Sequence, residues 1–79
     1  MFKYNVYYGN DADGYEIVAH EPTPELTFKF MQKWRKRYYP NLDSSYWRQW
    51  QDPDNESITI YDFGSWSNFF KVKAIPIPI

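Results

Sequence analysis

EPTPELTFKFMQKWRKRYYP, residues 21–40, carries the clearest start and stop signals for a helix in the chain. Thr23 can accept a hydrogen bond from a backbone N–H of the first turn, and Pro24 suits the first helical position because its missing N–H is not needed there. Pro40 cannot continue a helix and pushes the residue before it toward an extended backbone. The sequence therefore predicts one helix over residues 23–39.

The predicted helix has one apolar side. Leu26, Phe30, Trp34 and Tyr38 recur every four residues with Met31 beside them, while basic and polar side chains fill other positions. This spacing places the apolar groups in one stripe along a helix. We expect the stripe to pack against a sheet.

Two pairs of strand-like segments flank the helix. Residues 2–8 alternate between two sets of side chains, break at GNDADG and resume over residues 15–20, as in a β-hairpin. Residues 57–63 and 69–75 are rich in β-branched and aromatic types and predict a second hairpin. The predicted fold is a single two-layer α+β domain over residues 1–79, an antiparallel sheet of four or five strands with one helix packed on one face.

Two further segments connect or end these elements. Residues 44–50, SSYWRQW, suit either a helical turn capped by Ser44 or Ser45, or a strand that leads through the DPDNE turn into the next strand. The segment is too short for periodicity to decide, and we favour the strand. Residues 76–79, PIPI, predict an extended Pro-Ile arm that ends the sheet, because neither proline can donate a ladder hydrogen bond.

The composition excludes several classes of protein. Nine basic and ten acidic residues give a formal net charge of −1, too balanced for strong non-specific attraction to nucleic acid or anionic lipid. The chain has no cysteine, so disulfides and thiolate metal sites are excluded. Neither a signal peptide nor a membrane-spanning segment is evident, and we expect a cytoplasmic protein without a membrane partner.

Patterns for catalysis and metal binding are incomplete. Asp11 and Asp13 in GNDADGYE suit two ligand positions of an EF-hand calcium loop, but Gly9 occupies the first position and His20 the last. His20 is also the only histidine, so no second histidine or cysteine can join it on a metal. No phosphate-binding loop, nucleophile elbow or triad spacing occurs. We therefore expect that the chain has no catalytic residue, binds no metal or cofactor and is not an enzyme.

The aromatic content is unusually high. Four Trp, eight Tyr and six Phe lie in 79 residues. A helix of about 15 residues is only about 22 Å long and covers one face of a small sheet. We therefore expect some rings to remain on the surface, where they would contact a protein partner or a second copy in a homodimer.

The segment YWRQW favours a role in protein binding. Trp, Tyr and Arg dominate binding hot spots because they bury a large area with few rotatable bonds and keep one polar group. The candidate partner-binding residues are Tyr46, Trp47, Arg48, Trp50 and Trp66. The alternative for Trp47 or Trp50 is a structural role as a cover for the core. We predict a small non-enzymatic binding protein that docks this surface onto a larger protein and blocks or modulates it.

The basic segment at residues 29–37 supports an alternative function, nucleic-acid binding. Cations there would contact phosphates while Trp34 or Tyr39 stacked on bases. The candidate residues are Lys33, Arg35, Lys36 and Arg37. The same cations also suit the C-terminal end of a helix, and the net negative charge makes nucleic acid the less favoured partner. A sugar-stacking module is a third alternative, with less support.

Two stretches of the chain carry a resemblance to a known class of proteins. They are MFKYNVYYGNDADGYEIV at the start and the aromatic segment ITIYDFGSWSNFFKVK near the end. The chain resembles the small, stand-alone, cysteine-free proteins that phages of Gram-positive bacteria encode to disable host machinery, anti-CRISPR and other anti-defence inhibitors among them. The resemblance implies an inhibitor that acts on a protein in the host cell cytoplasm. It assigns no functional residue.

Overall fold

In the part of the chain that the structure describes, one antiparallel sheet of five strands packs with one helix, as the sequence predicts. The computed structural model describes residues 1–42 and 45–78. The sheet has the order β2-β1-β5-β4-β3, so the first and last strands of the chain are neighbours at its centre. The elements, in chain order, are β1 Phe2–Asn10, β2 Gly14–Glu21, α1 Pro24–Tyr38, β3 Arg48–Asp52, β4 Asn55–Asp62 and β5 Phe69–Pro76.

Helix α1 begins and ends where its capping residues predict. The hydroxyl of Thr23 accepts a hydrogen bond from the backbone N–H of Leu26 (3.2 Å), and Pro24 occupies the first turn. At the other end, Tyr39 caps the helix and donates its backbone N–H to the carbonyl of Arg35 (2.8 Å). These caps satisfy backbone groups that a helix end leaves without partners.

The buried side of α1 differs from the predicted stripe. Its buried residues are Thr27, Met31 and Arg35, whereas Leu26 and Tyr38, at the two ends of the predicted stripe, are exposed. The sheet therefore contacts the neighbouring row of the helix. The middle of the predicted stripe is confirmed, since Met31 is buried and Phe30 and Trp34 pack against the core. The two ends were wrong because Thr27 and Arg35 can be buried: the Thr27 hydroxyl donates to a carbonyl of its own helix, and Arg35 donates to the carbonyl of Phe63.

The core lies between α1 and the centre of the sheet. Its buried apolar residues are Val6, Met31, Phe63, Phe70 and Val72. Val6 pairs directly with Val72 across β1 and β5, and the rings of Phe63 and Phe70 lie 5.2 Å apart. Partly buried aromatic side chains surround this cluster. Packing of rings therefore supplies the stability that a chain without disulfides needs.

The turn between β1 and β2 depends on a close backbone approach. A Cβ atom on Gly9 would lie 2.1 Å from the carbonyl oxygen of Gly14. The side-chain oxygen of Asn10 accepts a hydrogen bond from the backbone N–H of Asp13 (2.7 Å) and closes the turn. Only glycine fits at position 9 without moving the hairpin.

The predicted strand in the segment SSYWRQW is confirmed from Arg48 onward. It is β3, which pairs with β4 through the DPDNE turn. In that turn the side-chain oxygen of Asp52 accepts a hydrogen bond from the backbone N–H of Asp54 (2.8 Å). Ser44, one of the two caps considered for a helical turn, lies outside the described residues.

Strand β5 ends later than predicted. It includes Pro76, which pairs with Phe2, and the backbone N–H of Ile77 donates to the carbonyl of Met1 (2.9 Å). Successive backbone N–H groups of a strand point to opposite sides. The N–H that Pro76 lacks would therefore point away from β1, beyond the last paired residues of β4 and β5. Pro76 thus fits in the strand without losing a ladder hydrogen bond.

Candidate functional site

One face of the sheet carries no helix in the part of the chain that the structure describes. Strand side chains alternate between the two faces, and α1 packs on the face that includes Val6 and Phe70. A row of paired residues crosses the opposite face from Trp50 through Lys71 to Ile17. We call this the open face. It includes Tyr7, Tyr15, Ile17, Arg48, Trp50, Ile58, Ile60, Phe69, Lys71 and Lys73.

The open face combines exposed apolar groups with cations. Ile17 is 49% exposed and Trp50 is 38% exposed. Trp50 meets the ring of Phe69 nearly edge to face, with centroids 6.4 Å apart, and the guanidinium of Arg48 lies 5.7 Å from the Trp50 centroid. Helix α1 therefore leaves aromatic surface uncovered, as the aromatic content predicts.

A loop surface adjoins the open face at the start of β3. The hydroxyl of Tyr46 donates to the carboxylate of Asp62 (3.4 Å), and Arg48 Nε lies 3.8 Å from the same carboxylate oxygen. Trp66, in the loop after β4, is fully exposed and lines an open cavity of about 410 Å³ together with Tyr46 and Asp62. We call Tyr46, Asp62 and Trp66 the loop rim. The contact between Arg48 and Asp62 joins the loop rim to the open face.

Trp47 points away from the other four predicted partner-binding residues. Its ring packs against Phe28 at 4.9 Å and lies under the guanidinium of Arg35, 5.6 Å from the guanidinium carbon. Both contacts belong to the helix side of the sheet. Trp47 therefore covers the core, which is the structural alternative that the sequence left open. Tyr46, Arg48, Trp50 and Trp66 are exposed.

The basic segment of α1 does not present all its predicted residues together. Lys33, Lys36 and Arg37 are exposed, but Arg35 is only 4% exposed and its Nε donates to the carbonyl of Phe63 (3.1 Å). An arginine in this position cannot contact a phosphate without leaving the core. The exposed cations form a smaller group than the sequence predicts.

The two rings predicted to stack on bases are also engaged within the protein. Trp34 packs against Tyr8 at 5.0 Å. The hydroxyls of Tyr8 and Tyr39 are hydrogen-bonded to each other, and the side-chain amide of Asn68 donates to both. Burial, with the Tyr39 hydroxyl as the next cause, raises the pKa of Tyr8 to about 12. This network connects β1, the end of α1 and the loop before β5, and it is structural.

His20 has a structural partner. Its Nδ1 donates to the side-chain oxygen of Asn5 (2.7 Å), a buried residue on the neighbouring strand. The hydrogen bond satisfies the buried amide oxygen of Asn5.

A cavity on the open face brings two distant turns together. The twist of the sheet places Asp11, from the turn after β1, and the Asp52–Asp54 turn after β3 around one cavity of about 360 Å³. Its floor includes Trp50, Ile60, Phe69 and Lys71, and its wall includes Tyr15. We call this cavity the cradle.

Carboxylates and one ammonium determine the electrostatics of the cradle. Lys71 Nζ lies 4.0 Å from a carboxylate oxygen of Asp11 and 4.2 Å from the ring centroid of Tyr15. Burial, followed by the charge of Asp11, raises the pKa of Tyr15 to about 12, and the charge of Asp52 adds to the effect. The Tyr15 hydroxyl therefore stays neutral in a region of negative potential.

The sequence did not point to the cradle. The sequence predicts ordinary turns at GNDADG and DPDNE, and nothing in it distinguishes Lys71 from Lys73. β2 and β3 lie at opposite edges of the sheet, so only the strand order and twist bring the two turns to one cavity. An excess of aspartate in both turns was the one available signal.

Two other features, a metal site and a membrane-spanning helix, were sought among the described residues. Among residues 1–42 and 45–78, no group of three or more histidine or carboxylate side chains is arranged to hold a metal ion. No helix in these two ranges is both long enough and apolar enough to cross a membrane. Comparison of the chain with protein-family models, with curated proteins and with solved structures finds no match.

Proposed function

We propose that this chain is a small non-enzymatic binding protein that docks its open face and loop rim onto a larger protein and blocks or modulates that protein. The observation that carries the proposal is the exposure of Trp50 and Trp66 on surfaces that α1 does not cover. Large rings left in water are typical of interaction sites. Arg48, beside Trp50, adds the second residue type common in hot spots.

The mechanism that this surface supports is steric occlusion. A few rings lose their water at the centre of the contact, while Lys73 and the carboxylates around them form a polar rim. Binding energy concentrates in the central rings. The resemblance to phage anti-defence proteins supports a host protein as the partner and inhibition as the result.

Nucleic-acid binding has weaker support. Arg35 is buried, and Trp34 and Tyr39 are engaged in internal contacts. Lys33, Lys36 and Arg37 remain as exposed cations without either predicted stacking ring. Salt distinguishes the two functions, because phosphate contacts weaken steeply as salt rises and a ring-dominated contact responds little.

The test is capture of a partner with the tagged protein from cells that carry its gene, followed by titration of the purified partner against variants. We expect Trp50→Ala and Trp66→Ala each to weaken binding by about 2 kcal/mol, roughly thirtyfold. The matched control is Lys33→Ala/Lys36→Ala, which removes exposed side chains from α1 and should change affinity less than about twofold. Loss of binding in the lysine variant with retention in both Trp variants would contradict the proposal.

A further inference from the structure

The cradle has more negative than positive charge. Three aspartates line it, Asp11, Asp52 and Asp54, against one cation, Lys71. Lys71 is the ion-pair partner of Asp11. Asp52 and Asp54 make no ion pair within the ranges that the structure describes. Two carboxylates therefore line the cavity beside Trp50 and Phe69 without an ion pair to any described residue.

The rings of the cradle already hold cations of the chain itself. Lys71 lies over Tyr15, and Arg48 lies over Trp50. Aromatic faces attract ammonium and guanidinium groups, and more strongly when water is excluded. A carboxylate next to an aromatic face suits a guanidinium or ammonium group particularly well, since one partner supplies charge and the other a flat apolar surface.

The size and position of the cradle also suit a side chain from a partner. Its volume, about 360 Å³, lies at the lower end of the range for ligand sites. It opens on the same face as Ile17 and Phe69, so a protein docked there would cover it. Its charge requires that the group entering be positive.

We propose that the cradle receives a cationic side chain, arginine or lysine, from a basic segment of the protein partner. The inference rests on the proposed function and adds the chemistry of the partner. The cation contacts the carboxylates of Asp52 and Asp54 and stacks against Trp50 or Phe69. The chain thus recognises its partner by apolar contact over the open face and by charge in the cradle.

The direct test uses a capped peptide, Gly-Arg-Gly-Arg-Gly, titrated into the intact protein at low salt, with the indole N–H signal of Trp50 followed by NMR. The matched probe replaces each arginine by citrulline, which has nearly the same shape and no charge. We expect the arginine peptide to shift the Trp50 signal in a saturable way and the citrulline peptide to leave it unchanged. Equal shifts with the two peptides would overturn the inference.

Charge variants locate the binding. Asp52→Asn/Asp54→Asn keeps an oxygen that can accept the turn hydrogen bond, and it should lower the affinity for the arginine peptide about fivefold to tenfold. Glu16→Gln/Glu56→Gln removes two exposed carboxylates that do not line the cradle, and it should lower the affinity for the arginine peptide less than about twofold. Equal losses in both double variants would show a general charge effect and contradict a site.

Lys71→Met should change the affinity for the arginine peptide in the opposite direction. It removes the cradle's own ammonium and the ion pair of Asp11, so the arginine peptide should bind about threefold more tightly. Weaker binding would overturn the inference. The purified partner separates the two proposals. If the Trp66→Ala variant no longer binds it while the Asp52→Asn/Asp54→Asn variant binds it normally, the proposed function stands and this inference fails. Thermal unfolding of each variant checks that it remains folded.

Discussion

Nε of Arg35 donates a 3.1 Å hydrogen bond to the backbone carbonyl of Phe63, and this contact connects α1 to the end of β4. Arg35 is nearly inaccessible to solvent, with Trp47 stacked under its guanidinium. A residue that the sequence assigns to a basic binding face is therefore part of the core. The contact explains why the helix packs along the row of Thr27 and Met31.

Removal of the Arg35 side chain should destabilise the fold. Arg35→Ala leaves the carbonyl of Phe63 without its donor and removes the guanidinium that packs over Trp47. We expect a loss of about 2 to 3 kcal/mol in the free energy of unfolding, measured by urea denaturation. Lys36→Ala, at the exposed neighbouring position, should change it by less than about 0.5 kcal/mol. Equal effects would contradict the role given to Arg35.

The tryptophans should separate into structural and binding residues. Trp47→Ala removes a ring packed on Phe28 and Arg35 and should lower the free energy of unfolding by about 2 to 3 kcal/mol, somewhat less than for a fully buried Trp. Trp66→Ala should change it by less than about 0.5 kcal/mol, since the ring is in water. Thermal unfolding of the two variants checks the order, and similar losses would show that Trp66 also packs.

Gly9→Ala should destabilise the first hairpin. The new methyl group would lie 2.1 Å from the carbonyl oxygen of Gly14, and backbone atoms must move to accommodate it. We expect a loss of about 1 to 3 kcal/mol, as for other overpacked sites. Ala12→Gly, in the exposed turn of the same hairpin, serves as the control with little expected change. A melting temperature unaffected by Gly9→Ala would contradict the close approach.

Stability should fall with rising pH between pH 10 and pH 12. The pKa values of Tyr8 and Tyr15 are raised from 10.0 to about 12, with burial as the largest cause for both. Below pH 10 both phenols are neutral in the folded and the unfolded chain. Between pH 10 and pH 12 the unfolded chain loses these protons and the folded chain keeps them, so unfolding becomes more favourable.

Thermal unfolding across this pH range measures the effect. Tyr8→Phe and Tyr15→Phe should each lose less stability between pH 10 and pH 12 than the unaltered chain, because one linked proton is absent. All other titratable groups are the same in every variant, so the comparison isolates the tyrosine. The same pH slope in all three proteins would show that neither hydroxyl is held neutral by the fold.

The elements of this fold were predictable because local chemistry decides them. Thr23, Pro24 and Pro40 mark the helix whatever it packs against, and the alternation around GNDADG marks the first hairpin. The helix face was not predictable in the same way. Arg35 is buried because the carbonyl of Phe63 accepts its hydrogen bond, and that carbonyl is known only from the tertiary structure. The Thr27 hydroxyl donates to the carbonyl of Pro24 in its own helix, so Thr27 can be buried without a hydrogen-bond partner from the sheet.

The candidate site was predictable only in part. Trp66 and Arg48 are exposed, as a binding surface requires. The opposite placement of Trp47 and Trp50 follows from the alternation of side chains along the segment that enters β3, and a short segment does not reveal which face each side chain takes. The cradle depends on residues from four strands and two turns. Such a site requires the strand order and the twist, which no local pattern contains.

The most direct measurement of the central claim, that the chain binds a protein through its open face and loop rim, is NMR of the four indole N–H groups during titration with the purified partner. We expect the signals of Trp50 and Trp66 to shift and broaden strongly, while those of Trp34 and Trp47 stay nearly unchanged in the interior. Unchanged Trp50 and Trp66 signals, with the perturbation confined to the exposed lysines of α1, would contradict the account.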